Sequence, residues 1–288
     1  MTRLILLGAG ASFGSGDAHP HPPPLGNKLF EALEARGGQA AVLPEALKVK
    51  FRERFEIGMA AFEEHVNGNV MQFQRELAHY LAEFSPGPKN VYLRLIRAYR
   101  SSQVIFCSLN YDLLFELSAA ALKLNTLYNH QKSNAHIHLL KIHGSSNFWP
   151  DFGTSNISEC TFVGNAIDIE APVVALNQRD TIQRCKTQDS LAPAIAMYAE
   201  GKKKKVCPAY IDQQLAMWTA TVSTATKVAV IGTRIYLPDV HIWDALAESR
   251  ADIYYYGVNQ SDRAEFEEWK STTKRKNIYF AQANLKRL

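Results

Sequence analysis

The sequence predicts an α/β protein. The expected core is a doubly wound, Rossmann-like parallel sheet of about six strands, with a helical insertion and a second mixed insertion. Three observations predict it. Six short runs rich in β-branched or aromatic residues, at 4–7, 104–107, 137–142, 228–231, 253–258 and 278–280, are continuously apolar, as strands buried on both faces are. Helical patterns at 26–36, 90–100, 111–124, 240–250 and 261–270 lie between many of them. The last third repeats the unit most cleanly, as KVAVIG, VHIWDALAESR, DIYYYGV, DRAEFEEWK and NIYFA.

Composition limits the class. The 288 residues are 47% hydrophobic and 21% charged, ordinary globular usage that excludes disorder, collagen and coiled coil. No apolar run reaches the roughly 18 residues of a membrane span. The opening MTRLILLGAGAS has too short an apolar run for a secretory leader and reads as a first strand, so a cytoplasmic protein is expected. Thirty-two Lys and Arg against 28 Asp and Glu leave +4, a mild excess that suits a phosphate-bearing ligand and predicts no nucleic-acid groove. The densest basic cluster, Lys202 to Lys205, reads as a solvated loop crest or a phosphate or partner contact. Cys107, Cys160, Cys185 and Cys207 form no C-x-x-C pair, so no structural zinc is expected.

Two stretches interrupt the alternation. Residues 37–85 carry no strand pattern; PEALKVKFRERFEIG and NVMQFQRELAHYLAEF read as helices inserted between the first and second sheet strands. Residues 146–224 are mixed, with a long helical pattern from Pro208. The core is therefore expected in 1–36, 86–145 and 225–288. The patch HPHPPP, His19 to Pro24, is an extended, stiff loop because each proline fixes φ; His19 and His21 in it are solvated or form a lid. His136 and His138 share a strand face, with no third metal ligand in view.

Polar groups collect where the strands end, and ligands in open α/β sheets bind outside the carboxyl ends of strands. The first strand runs into Gly8-Ala9-Gly10-Ala11-Ser12, small residues that let the backbone approach a pyrophosphate or simply make a tight exit. No helix is expected before Gly26. The second strand ends in Ser108-Leu109-Asn110-Tyr111-Asp112, where Asn110 or Asp112 either meets a ligand or caps the next helix. The third ends in Lys141-Ile142-His143-Gly144-Ser145, with His143 placed as a base or a structural histidine. The fourth ends in Gly232-Thr233-Arg234 and continues through Asp239-Val240-His241; the fifth ends near Asn259. Trp218, Trp243 and the run Tyr254 to Tyr256 read as packing between helices and sheet.

The order GAGAS, LNYD, IHGS, GTR with D-x-H, then VN resembles the sirtuin-like (silent-information-regulator-two-like) family. That family's signature runs Gly-Ala-Gly-x-Ser, Asn-x-Asp, His-Gly, Gly-Thr-Ser, then an Asn after the next strand. More closely, PPLGNKLF at Pro23 to Phe30, Asn110-Tyr111-Asp112 and Asp239-Val240-His241 are similar to its prokaryotic antiphage-defence NADase branch. The resemblance covers 3–36, 103–145 and 226–260 and leaves both insertions outside it.

The resemblance implies NAD+ as substrate, cleaved at the nicotinamide–ribose bond. It implies Gly8, Ala9, Gly10 and Ser12 along the pyrophosphate and ribose, Asn110 and Asp112 near the nicotinamide ribose, and His143 as catalytic base. Gly232 and Thr233 would contact phosphate or ribose, with Asp239 on the same side, and Asn259 the adenosine. Arg234 stands where the family has Ser, and an Arg there suits charge-assisted bonds to phosphate. Leu109 replaces the Gln of the deacylating sirtuins, and their four-cysteine zinc ribbon is missing, which counts against a protein deacylase. The implied role is a defence effector that depletes NAD+ on phage infection and is held inactive until triggered. With no sensor outside the insertions, control is expected from homo-oligomerisation or from a partner such as an NTPase or a nucleic-acid-guided protein. The alternative is a non-catalytic module that senses NAD+ or ADP-ribose.

Overall fold

The structure is a computed structural model, and it describes residues 2–100, 104–129, 136–153, 169–196 and 206–282. The expected cluster Lys202 to Lys205 and Cys160 lie outside the described residues. The chain opens with β1 (Arg3–Leu7), α1 (Ala9–Phe13) and β2 (Ala18–His19). Helices α2 (Gly26–Ala35), α3 (Gly38–Val42), α4 (Glu45–Glu53), α5 (Phe55–His65) and α6 (Met71–Ala82) precede β3 (Ser85–Pro86). Helix α7 (Val91–Tyr99) leads to β4 (Val104–Ser108), α8 (Leu114–Ala121), β5 (Asn125–Leu127) and β6 (His136–Lys141). A second excursion holds β7 (Phe148–Pro150), β8 (Val173–Ala175), α9 (Gln178–Thr187) and α10 (Pro208–Thr224). The chain then runs through β9 (Lys227–Ile231), α11 (Val240–Glu248), β10 (Asp252–Gly257), α12 (Gln260–Thr273) and β11 (Ile278–Gln282).

Seven strands form one parallel sheet in the order β11-β10-β9-β1-β4-β6-β5, the doubly wound arrangement the apolar runs predict. The count is seven rather than six. The added strand, β5, is three residues of Asn-Thr-Leu at the edge beside β6, too short and too exposed to show an apolar run. Period-two alternation splits the strands between two cores. Ile5, Leu7, Phe106 and Leu139 face α2 to α8, α9 and the start of α10 at Ile211, whereas Leu4, Leu6, Val228 and Ile253 face the rest of α10 at Trp218 and Val222 together with α11 and α12. Trp218 and Trp243 pack in that second core, and Tyr254 stacks on Tyr279 at 5.2 Å.

The helices have local causes. In α7 the buried Tyr92, Leu93, Leu95 and Ile96 make one apolar stripe, and Asn90 caps the start by accepting from the Tyr92 amide at 3.0 Å. Between β1 and β4, the insertion helices gather on aromatic rings. Phe51 of α4 stacks on Phe30 of α2 at 4.4 Å and on Phe73 of α6 at 5.7 Å, so the insertion shares the core of the sheet's first face. The sequence places the first helix at Gly26, but the glycine loop passes directly into α1. The proline segment after it does not hang free: β2 pairs antiparallel with β3, and the His21 ring meets the edge of Phe84 at 5.3 Å.

Candidate active site

β1 lies between β4 and β9, and successive crossovers leave it in opposite directions. The carboxyl ends of β1 and β9 thus flank the switch point, where such sheets open a crevice. Here the two strand exits close on each other. The Gly8 amide donates to Ile231 O at 2.9 Å and the Gly10 amide to Gly232 O at 2.8 Å. A Cβ on Gly10 would lie 2.9 Å from Gly232 O, and one on Gly8 would collide with Gly232 O and Thr233 Oγ1. Gly232 itself has φ +65° and faces the Ala11 amide. All three glycines are required by this backbone-to-backbone approach before any ligand is considered.

A polar cluster sits beneath the loop. Asn110, just beyond β4, donates from Nδ2 to Gly8 O and to Ser12 Oγ, each at 2.9 Å. Ser12 Oγ also meets the Tyr92 hydroxyl at 3.0 Å, and burial holds that phenol well above its ordinary range. Gly8 O can only accept, so the amide orientation of Asn110 is fixed and Oδ1 is left enclosed with no protein partner. Thr233 Oγ1, across the loop, is likewise enclosed and unpartnered, while the Thr233 carbonyl accepts from the Tyr255 hydroxyl at 2.8 Å.

Asp112 works locally. Its Oδ1 accepts from the Leu114 amide at 3.0 Å, capping α8, and its carbonyl accepts from Lys141 Nζ at 2.8 Å. Lys141, 1% exposed, pairs with Glu116 of α8 at 3.0 Å, which ties β6 to the Asn110–Asp112 turn. His143, 6% exposed, follows β6. The strand end is covered by the second excursion: the Ala196 amide donates to His143 O at 2.9 Å, and the Ser145 amide to Ala194 O at 3.1 Å. Tyr111 donates its hydroxyl to Ala196 O at 2.8 Å, closing the same roof. His143 Nε2 stands 3.1 Å from Nε2 of His241, in the first turn of α11.

The structure therefore brings Gly8, Ala9, Gly10, Ser12, Asn110, Gly232 and Thr233 into one bonded neighbourhood, with His143 at the end of β6. Asp239 precedes α11, its carbonyl accepting from the Ile242 amide at 2.8 Å. Arg234 and Asn259 turn to α12 instead. Arg234, 76% exposed in its side chain, pairs with Glu265 at 2.7 Å. Asn259 forms a capping box with Asp262. His241 is the residue that strand-end reasoning passed over, although the D-x-H spacing contained it. Among the described residues, no group of three or more His, Cys, Asp or Glu forms a metal cluster, and no helix is long and apolar enough to cross a membrane.

No family profile matches the sequence, and no curated protein matches it. Among solved structures, the chain is similar to a mutant Sir2 homologue in complex with ADP-ribose, with 13% identity, coverage of 95% of this chain and 90% of that one, and a TM-score of 0.45. It is also similar to a Sir2 homologue in complex with NAD, with 12% identity, coverage of 95% and 91%, and a TM-score of 0.44. Both are remote likenesses in the path of the chain.

Proposed function

We propose that this chain binds NAD+ at the switch point and cleaves its nicotinamide–ribose bond to give nicotinamide and ADP-ribose. The observation that carries this reading is Asn110, whose Nδ2 is fixed on Gly8 O and Ser12 Oγ while its buried Oδ1 lacks a partner. A buried acceptor left over in this way is a place for a hydroxyl donor of a ligand. Ribose supplies such donors, and Thr233 Oγ1 offers a second unpartnered group across the loop.

The chemistry asks little acid of the protein, because the departing pyridinium leaves as neutral nicotinamide. It asks for a dry pocket, a held ribose and a base for the attacking water. Ser12, Asn110 and His143 are all buried, so water is scarce beside them. Asn110 holds the ribose hydroxyl or the water, and His143 takes the proton of the nucleophile. Asp112 acts through the backbone, capping α8 and so fixing the turn that carries Asn110. Arg234, with Nε and Nη2 on Glu265, meets phosphate with what that pairing leaves over, and Asn259 contacts adenosine with what its capping bond leaves over. In the cell, the proposed role is a defence effector that depletes NAD+ on phage infection, controlled by self-assembly or by a partner chain.

The test is to incubate the purified chain with NAD+ and follow nicotinamide and ADP-ribose by chromatography. The wild type should release both, and His143→Ala should be slower by on the order of 10²–10⁴ with its fold retained. Asn110→Ala should also be slow. Stoichiometric NAD+ binding without products, with candidate partners present, would replace the reading with a sensor module.

A further inference from the structure

His143 and His241 reach one point from different elements, the end of β6 and the first turn of α11. Their Nε2 atoms are 3.1 Å apart and their ring planes are tilted by 49°. Two imidazole nitrogens at that distance form a hydrogen bond only when one carries the proton and the other a lone pair, so one ring donates and the other accepts.

The two residues are not equivalent. His143 is buried, and His241 is half-buried. His241 is also anchored independently of the contact, since its carbonyl accepts from Trp218 Nε1 at 3.0 Å and Trp218 is fully buried in α10. The packing of α10 against α11 therefore sets where His241 stands. A ring held by the scaffold that bonds one nitrogen of a neighbouring histidine fixes that neighbour's plane and tautomer.

We propose that His241 is a positioning residue for His143, accepting its Nε2 proton so that Nδ1 is the nitrogen that serves as base. This rests on the NAD+-cleavage reading. The Nδ1 lone pair takes a proton from the attacking water, and the water oxygen bonds the ribose carbon. The carbon–nitrogen bond breaks, and its electron pair goes to the ring nitrogen of nicotinamide. The imidazolium formed keeps its Nε2 proton on the His241 lone pair, so its charge remains hydrogen-bonded in a buried place.

The test compares His241→Ala with His241→Gln, whose amide reaches the same point and can accept the same proton. Imidazole ¹⁵N–¹H spectra read the tautomer of His143, and steady-state nicotinamide release gives kcat and KM. In the wild type His143 should be protonated at Nε2. His241→Ala should lose that preference and lower kcat by about 10- to 100-fold with little change in KM, and His241→Gln should restore most of both. An unchanged His143 tautomer in His241→Ala overturns the proposal whether or not the wild type cleaves NAD+. Equal losses in both variants, accompanied by a lower unfolding temperature, would make His241 structural and overturn it as well. If the tautomer responds but the wild type releases no nicotinamide, the pairing of the two rings is supported and the NAD+ reading alone fails.

Discussion

At Gly232 the backbone has φ +65°, and a Cβ would collide with the Ala11 amide across the switch point. Gly16 has φ +79° with nothing within 4 Å of where its Cβ would stand. The pair separates backbone strain from close approach. Gly16→Ala should cost about 1–2 kcal/mol for the left-handed conformation alone. Gly232→Ala carries that cost and must also push β1 and β9 exits apart, so it should be destabilised further in urea unfolding and should lose the proposed NAD+ turnover. Equal midpoints for the two variants would show that the loops yield without cost. The glycines of the first loop were legible in the sequence, but their contact was not, because Gly232 lies more than two hundred residues downstream. For the same reason the Glu265 partner of Arg234 was hidden in α12. Asn259 as a cap was visible in its spacing to Asp262, and Asp112 as a cap was one of the two readings the sequence allowed.

Among the elements, β6 and α8 are joined by a buried ion pair, Lys141 with Glu116. Burial raises the Glu116 carboxyl above its ordinary range, and the Lys141 charge beside it pulls the other way. A carboxyl whose folded pKa exceeds its unfolded value favours folding while protonated, and that contribution fades as pH rises through the folded value. Lys141→Met removes the opposing charge and raises Glu116 further. The variant should lose about 3–5 kcal/mol at pH 8, where Glu116 would have to be ionised and unpaired, and less at pH 5. Urea unfolding at the two pH values measures this, and a loss independent of pH would assign the cost to packing of the Lys141 stem. Element by element, the sequence marked the six longer strands and their crossover helices, because continuous apolar runs and buried helix stripes are local signals. Besides the short strands β2, β3, β7 and β8 and the helix α9, it missed β5 and α1. The first is an edge of three half-polar residues, and the second is a single turn that exists because the β9 exit closes on the glycine loop.

For the whole molecule, the two hydrophobic cores share one sheet, and a residue on β1 faces one core while its neighbour faces the other. Neither core has a sheet of its own to keep when the other opens, so the two should unfold together. The cysteines report on this directly. Cys107 belongs to the core of α10, α11 and α12, and Cys185 and Cys207 belong to the opposite one. All three are buried free thiols. Burial pushes the Cys185 thiol up to about 12 and the Cys207 thiol up to about 11, and it raises Cys107 as well. Reaction needs the thiolate, so at pH 8 these positions should be silent toward an aromatic disulfide reagent in the folded protein. With Cys160 replaced by Ser, rising urea should expose all three in one transition that coincides with loss of the far-ultraviolet helix signal. Single-cysteine variants would locate any departure. Exposure of Cys185 and Cys207 at lower urea than Cys107 would mean that the face carrying the helical insertion opens alone, a local unfolding unit resting on an intact sheet. The shared strands argue for the single transition, since opening one face strips half the side chains of every central strand and leaves the sheet without the burial on both sides that a parallel sheet requires.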